Sequence, residues 1–339
     1  MVESVNRRVV LASRPKGEPL QENFRLENLP VPAPGEDQVL LKTVWLSLDP
    51  YMRGRMSDGP SYAAPVEIGG VMTARTVSEV VESKSDALKP GDIVLCDAGW
   101  QEYYATDAKK VQKLDPSAAP VSTALGVLGM PGLTAYTGLL NIGQPKAGET
   151  VVVAAAAGAV GAVVGQLAKI WGCRAIGIAG GPDKCAYVAD ELGFDACLDH
   201  KSETLAADLK AACPNGIDIY FENVGGKVFE AVLPLLNPFA RIPVCGLISA
   251  YNATGLPPGP DQTPYVMRSI LSKRLTFRGF IVGDYWSQYP DFQRDVSGWI
   301  REGKLKYRED VVDGIENAVG AFQGLLKGRN FGKMLVRVS

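Results

Sequence analysis

The first residues whose spacing suggests chemistry are the small ones from 156 to 161, Ala156, Ala157, Gly158, Ala159, Val160 and Gly161, with Gly165 one helical turn further on. An apolar, β-branched run at 150–153 precedes them and an apolar run of helical spacing follows, so the segment reads as strand, tight turn and helix. Without a Cβ, Gly158 lets a bound group approach the backbone, and Gly161 lets the helix pack closely on the strand. The N–H groups at the helix start can then receive a pyrophosphate. This is the physics of dinucleotide binding, with Ala156 standing where the usual pattern has its first glycine.

A second cluster bears on which dinucleotide. An acidic residue at the end of the second strand of such a unit accepts hydrogen bonds from the adenosine ribose, whereas small residues beside a cation suit a 2′-phosphate. Here that strand ends in Ala179, Gly180 and Gly181, with Lys184 close behind, which favours NADPH over NADH. His200, the one histidine of the chain, follows the third strand and is placed to face either the same phosphate or solvent. A catalytic zinc needs three ligands drawn from Cys, His, Asp and Glu, yet segments 46–53 and 66–72 contain neither Cys nor His, and the six cysteines are scattered with no C-x-x-C pair. No metal is expected.

Composition bounds the rest. A chain of 339 residues exceeds the usual size of one core, so two domains are expected, and 46% hydrophobic with 21% charged residues is a globular composition. The formal net charge is −2 and no block of Lys and Arg stands out, which argues against nucleic acid as a partner. The apolar run near the N-terminus is too short for a signal or membrane segment, and scattered cysteines suit reduced thiols. A cytoplasmic location with no membrane partner is expected.

Two kinds of element must carry these residues. Strands are expected over 8–12, 38–46, 71–81, 92–96 and 101–105, separated by turn residues, which makes the first 125 residues mostly β. From 123–140 onward the residues become small and helix-compatible, and strands then alternate with helices. Strands are expected at 174–179, 196–199, 217–222, 240–248 and 275–282, with helices at 183–192, 203–212, 227–236, 265–272 and 291–302. Such alternation implies a doubly wound parallel sheet, an α/β Rossmann-type domain over 126–304. A proline-rich loop is expected at 257–264. The tail, 305–339, has mixed character, ends in an apolar alternation at 334–338, and is expected to return to the first domain.

With these features assembled, the whole chain resembles the medium-chain dehydrogenase/reductase superfamily, and within it the zinc-free leukotriene B4 dehydrogenases and prostaglandin reductases. The resemblance rests on residues 48–56 (LDPYMRGRM), 126–132 (GVLGMPG), the 156–165 turn, 220–226 (YFENVGG), 242–246 (IPVCG), Tyr251 with Asn252, and 330–333 (NFGK). It implies a GroES-like β catalytic domain, 1–125 with 305–339, beside the NADPH-binding domain. It also implies that Asn223, Cys245 and Gly246 lie along the cofactor, that Lys184 reads the 2′-phosphate, and that Tyr251 lies near the ribose. Phe280, Ile281 and Val282 would meet the nicotinamide amide through backbone groups, and Asn330 would approach the nicotinamide from the tail. Tyr51 and Met52, with Tyr265, would line the substrate cleft. The family often has a tyrosine at the position of His200.

The activity so implied is reduction of a carbon–carbon double bond conjugated to a carbonyl, in small-molecule enones such as curcumin-like, 2-alkenal-like or prostaglandin-like compounds. Charge growing on the carbonyl oxygen would be met by a hydroxyl of Tyr51 or Tyr251, by a ribose hydroxyl or by backbone N–H groups. The proton for the α-carbon comes from tyrosine or from water, and the residues do not choose between them. Two rival readings stand beside this one: an NADPH quinone reductase, and a crystallin-like protein that binds NADPH without turnover. A homodimer is implied by the resemblance alone.

Overall fold

The first strands of the chain are held together by antiparallel pairing rather than by a crossover helix. The computed structural model describes residues 5–256 and 259–339; Pro257 and Pro258, the start of the proline-rich loop expected above, lie outside the described residues. Two units are distinguished, residues 1–126 with 309–339 and residues 127–308. In the first, β1 (Val5–Leu11) pairs antiparallel with β2 (Phe24–Pro30) as a separate ribbon. Residues 48–51 join β3 (Gln38–Ser47) to a single helical turn, α1 (Met52–Arg55). β4 (Thr76–Ser83), β5 (Ile93–Cys96), β6 (Tyr103–Asp107) and β7 (Gln112–Lys113) follow, and β3 pairs with both β4 and β6.

The second unit begins with α2 (Met130–Gly138). Then come β8 (Thr150–Ala154), α3 (Gly161–Ile170), β9 (Arg174–Ala179), α4 (Pro182–Ala186), β10 (Ala196–Asp199), α5 (Leu205–Ala212) and β11 (Ile217–Phe221). After these stand α6 (Gly226–Val232), β12 (Leu236–Val244), α7 (Thr263–Lys273), β13 (Thr276–Gly279) and α8 (Tyr289–Arg301). The six strands form one sheet in the order β10-β9-β8-β11-β12-β13, and every pairing in it is parallel. All five residues of β8 are buried, as helices on both faces require. The Rossmann-type α/β expectation is met.

The tail re-enters the first unit: β14 (Glu309–Asp313) pairs parallel with β15 (Lys333–Arg337), and β15 pairs antiparallel with β3, giving a seven-stranded sheet. Four consecutive residues of β15 are buried, so the tail strand is covered on both faces instead of alternating. Between them lies α9 (Ala318–Leu326), which the mixed composition of the tail conceals. Its Ala318, Val319, Phe322 and Leu325 face the core at helical spacing, and Phe322 meets the Trp100 ring edge-on at 5.7 Å.

Several expected elements are corrected. Strand 71–81 starts only at Thr76, where pairing with β5 begins, and 240–248 shifts back to Leu236–Val244. Strand 275–282 ends at Gly279, because residues from Val282 wind into a 3-10 turn. Helix 183–192 is α4 followed by a π-turn over Tyr187–Glu191. Among the described residues no helix is long and apolar enough to cross a membrane.

Candidate active site

In the second unit the chain winds outward from β8 through β9 to β10, then returns to place β11 on the other side of β8. Parallel strands wound both ways part beyond their carboxyl ends at this reversal, and ligands of open α/β sheets bind there. A hydrogen bond spans the reversal: Asn223 Nδ2, just past β11, donates to Ala154 O at the end of β8 at 2.8 Å. The side chain thus ties together the two loops that would flank a dinucleotide.

The turn after β8 is tight. Ala155 takes a left-handed backbone (φ 53°), and its carbonyl accepts Gly158 N–H at 2.9 Å. That same oxygen would lie 2.3 Å from a Cβ on residue 161, so glycine is required there. α3 then starts with no side chain capping it, leaving the helix start open to an anion. Ala156, expected to mark a departure from the usual pattern, is fully buried and accommodated by the neighbouring strand. A Cβ on Gly177 of β9 would come within 2.9 Å of the Ala156 Cβ, so the pair Ala156–Gly177 holds one methyl where two would collide.

At the ends of β9 and β10, His200 Nε2 stands 2.9 Å from where a Cβ on Gly180 would lie, and Lys201 Cε 3.9 Å from it. Asp199 closes the same strand end. Its Oδ1 accepts the N–H groups of Gly181 and Lys201, each at 3.0 Å, and these bonds hold its carboxyl below the usual range. His200 and Lys201 thus stand beside Gly180, and the half-buried Lys184 follows on α4.

Glu222, to which the sequence reading gave no role, organises the loop beyond β11. It is buried and accepts the Tyr220 hydroxyl at 2.9 Å and the N–H groups of Val224 and Gly225 at 2.7 and 2.8 Å. Burial raises its pKa, and the two N–H groups oppose that rise. The signal was present in the strand period, since Tyr220 and Glu222 share one face. The carbonyl of Glu222 also accepts the N–H groups of Cys245 and Gly246, fixing the start of the loop after β12. The Tyr251 hydroxyl lies 3.1 Å from where a Cβ on Gly246 would lie, so these two share the same strand end. Burial, with the charge of Glu222 second, pushes the Cys245 thiol up to about 12, so it stays neutral near pH 7. Beyond β13 the Phe280 ring packs edge-on against Phe221 and Tyr285, while Ile281 is exposed. Tyr265 is 48% exposed on α7.

Of the residues expected to line a substrate, two belong to the first unit. Tyr51 caps α1, packs against the core, and bonds through its side chain to Thr73. Burial, then the negative charges of Asp49 and Asp97, raise its pKa well above that of a free phenol. Met52 is fully buried in that core, together with Met56 one turn on and Trp100, so its side chain does not face a ligand. Asn330 Nδ2 donates to Gly332 O at 2.8 Å. Among the described residues no group of three or more His, Cys, Asp or Glu side chains could hold a metal ion.

The parallel sheet and its uncapped glycine turn define a Rossmann-type dinucleotide-binding unit, carried in a chain with a mixed β unit. A family model described as the N-terminal domain of oxidoreductase matches residues 7–114, and one described as zinc-binding dehydrogenase matches residues 159–298. The chain belongs to the medium-chain dehydrogenase/reductase superfamily, in its leukotriene B4 dehydrogenase and prostaglandin reductase group. It is 60% identical to the NADPH-dependent curcumin reductase of Escherichia coli, over 98% of this chain and 97% of that protein. It is 42% identical to bovine prostaglandin reductase 1, over 95% of each. Among solved structures it is similar to CurA of Vibrio vulnificus in complex with NADPH, at 54% identity and a TM-score of 0.95, over 98% of this chain and 99% of that one.

The packing of Ala156 on Gly177 yields a direct test. Gly177→Ala should destabilise the protein by about 1–3 kcal/mol, the usual cost of an inserted methyl in a packed site. Ala156→Gly added to it should recover part of the loss, measured as urea midpoints. Equal midpoints for Gly177→Ala and the double variant would show that Val188 Cγ1 and Cys197 Sγ, which a Cβ there would meet at 2.9 and 3.0 Å, set the cost and not Ala156.

Proposed function

We propose that this protein reduces the carbon–carbon double bond of α,β-unsaturated carbonyl compounds with NADPH. The observation that carries the reading is a switch-point site with His200 and Lys201 beside a bare glycine at its adenosine end, in a chain 60% identical over nearly its full length to an NADPH-dependent curcumin reductase. The residues fit the cofactor: the 2.3 Å approach at Gly161 leaves the helix start bare, and small residues with cations stand where an acidic side chain would select NADH.

In this reading Ala156, Gly158, Ala159, Val160 and Gly161 hold the pyrophosphate. Gly180, Lys184 and His200 hold the 2′-phosphate, while Asn223, Cys245, Gly246 and Tyr251 follow the ribose. Backbone groups of Phe280, Ile281 and Val282 face the nicotinamide amide, and Asn330 approaches the same ring. NADPH, when bound, supplies the hydride for the β-carbon. Tyr51 keeps its proton at neutral pH, because burial and nearby carboxylates oppose its ionisation, and so can donate a hydrogen bond to the carbonyl oxygen as negative charge grows there. One such donor contributes on the order of 3 kcal/mol to the transition state. Met52 supports this residue by packing beneath it, and Tyr265 contacts the far end of a long substrate.

The protein is further proposed to act in the cytoplasm, where its six free thiols would stay reduced, and as a homodimer. β13 ends the sheet order, so one edge of that strand is unpaired within the sheet. The same unit exposes Phe239, Met267 and Leu271, which a second copy would cover.

The activity is tested by following NADPH consumption with curcumin, an alkenal and a prostaglandin enone, beside a quinone and a simple ketone, and again with NADH. Turnover of the enones with NADPH, and products saturated at the carbon–carbon bond, is expected. Consumption with the quinone alone would favour a quinone reductase, and cofactor binding without turnover a binding protein. For assembly, light scattering should give twice the chain mass for the wild type and a smaller species for Leu271→Glu; a monomeric wild type would refute the dimer.

A further inference from the structure

Within the first unit the most deeply buried charge is not on any residue assigned above. Lys333 begins β15 and is buried, and its ammonium donates to Leu48 O at 2.7 Å and to Asp49 Oδ1 at 2.8 Å. Asp49 is buried too, and its Oδ2 accepts the Ser47 hydroxyl in a short contact. The backbone repeats the link, since Leu48 N–H donates to Met334 O at 3.2 Å. Nearby, Glu309 accepts the Ser122 hydroxyl at Oε2, while its Oε1 is buried without a hydrogen-bond partner. Gly126 leaves room for the lysine stem: a Cβ there would lie 3.3 Å from Lys333 Cγ.

A buried ion pair contributes little net stability, because desolvation offsets most of the attraction, so stability is a poor account of why this one is present. Its geometry offers a better one. Both acceptors of Lys333 lie in the Leu48–Asp49 step, and Pro50 and Tyr51 follow directly. The carbonyl of Asp49 accepts the Met52 N–H at 3.1 Å, opening the turn that carries Tyr51. Three residues before Lys333 stands Asn330, in a segment held where the Phe331 N–H donates to Asp310 Oδ2 at 2.8 Å. The ammonium also balances the charge of Asp49, which would otherwise oppose an oxyanion forming beside Tyr51.

We propose that Lys333 is a positioning residue for the reaction: seated on Leu48 O and Asp49, it fixes the Asp49–Pro50–Tyr51 step so that the Tyr51 hydroxyl meets the developing enolate, and keeps Asn330 in register with it. The proposal rests on the reading of Tyr51 as that donor.

A double-mutant cycle tests it, with kcat and KM for an enone, the NADPH Kd from cofactor fluorescence, and Tm recorded for each variant. Tyr51→Phe should lower kcat about tenfold or more. Lys333→Met should lower kcat by about tenfold, with the NADPH Kd within about twofold, and Lys333→Arg should recover part of the rate. In the Tyr51→Phe background, Lys333→Met should cost less than about threefold, because the group it positions is gone. The pair Asp49→Leu with Lys333→Met removes both charges; it should regain most of the Tm but not kcat, and it carries the cycle if Lys333→Met alone does not fold. An unchanged kcat in Lys333→Met, an equal loss in both backgrounds, or recovery of kcat along with Tm in the charge-free pair would each overturn the proposal. A wild-type rate for Tyr51→Phe would instead refute the Tyr51 reading, and the positioning role with it.

Discussion

Six parallel strands in one sheet must direct all their carboxyl ends the same way, and everything proposed for the second unit follows from that constraint. The chain winds β8-β9-β10 and then reverses to β11-β12-β13, so the loops part at one place only, between β8 and β11. The bond from Asn223 to Ala154 O crosses this place. Glu222 then holds the two following loops, with its carboxylate on Val224 and Gly225 and its carbonyl on Cys245 and Gly246. Residues separated by nearly a hundred positions, from the 156–161 turn to Tyr251, share one end of the sheet because the topology leaves them no other.

Electrostatics divide the labour between the units. At the ends of β9 and β10 the Asp199 carboxylate is held by the N–H groups of Gly181 and Lys201, beside His200 and the Lys201 side chain. The first unit holds a phenol that burial and carboxylate charge keep protonated, above a buried lysine–aspartate pair. A neutral donor that does not ionise suits a reaction in which charge appears on the substrate and must be met without a metal ligand set.

Much of the second unit was legible because a strand buried on both faces writes itself as an unbroken apolar run. The strand at 174–179, buried over its last five residues, falls where expected; 196–199 also does, though it is a half-buried edge strand. Phe24–Pro30 was missed for the opposite reason: one residue of it is buried, and it is a strand only because β1 pairs with it. The tail helix was missed because Gly320 and Gly324 give a short segment poor helix propensity, although its apolar face is intact. At the site, spacing located the glycine turn, while the left-handed backbone of Ala155 within it left no mark in the pattern. The resemblance implied that Met52 lines the cleft beside Tyr51, yet a helical turn sends adjacent side chains to different faces, and Met52 lies with Met56 in the core. No local pattern could have joined Asp49 to Lys333, 284 residues apart.

The central claim is hydride delivery to the β-carbon of an enone, and isotope transfer tests it most directly. With NADPH deuterated at the reactive nicotinamide carbon and an enone in ordinary water, NMR of the product should find deuterium at the β-carbon, hydrogen at the α-carbon and an intact carbonyl. Deuterium at the carbonyl carbon, or a product free of deuterium, would contradict the account.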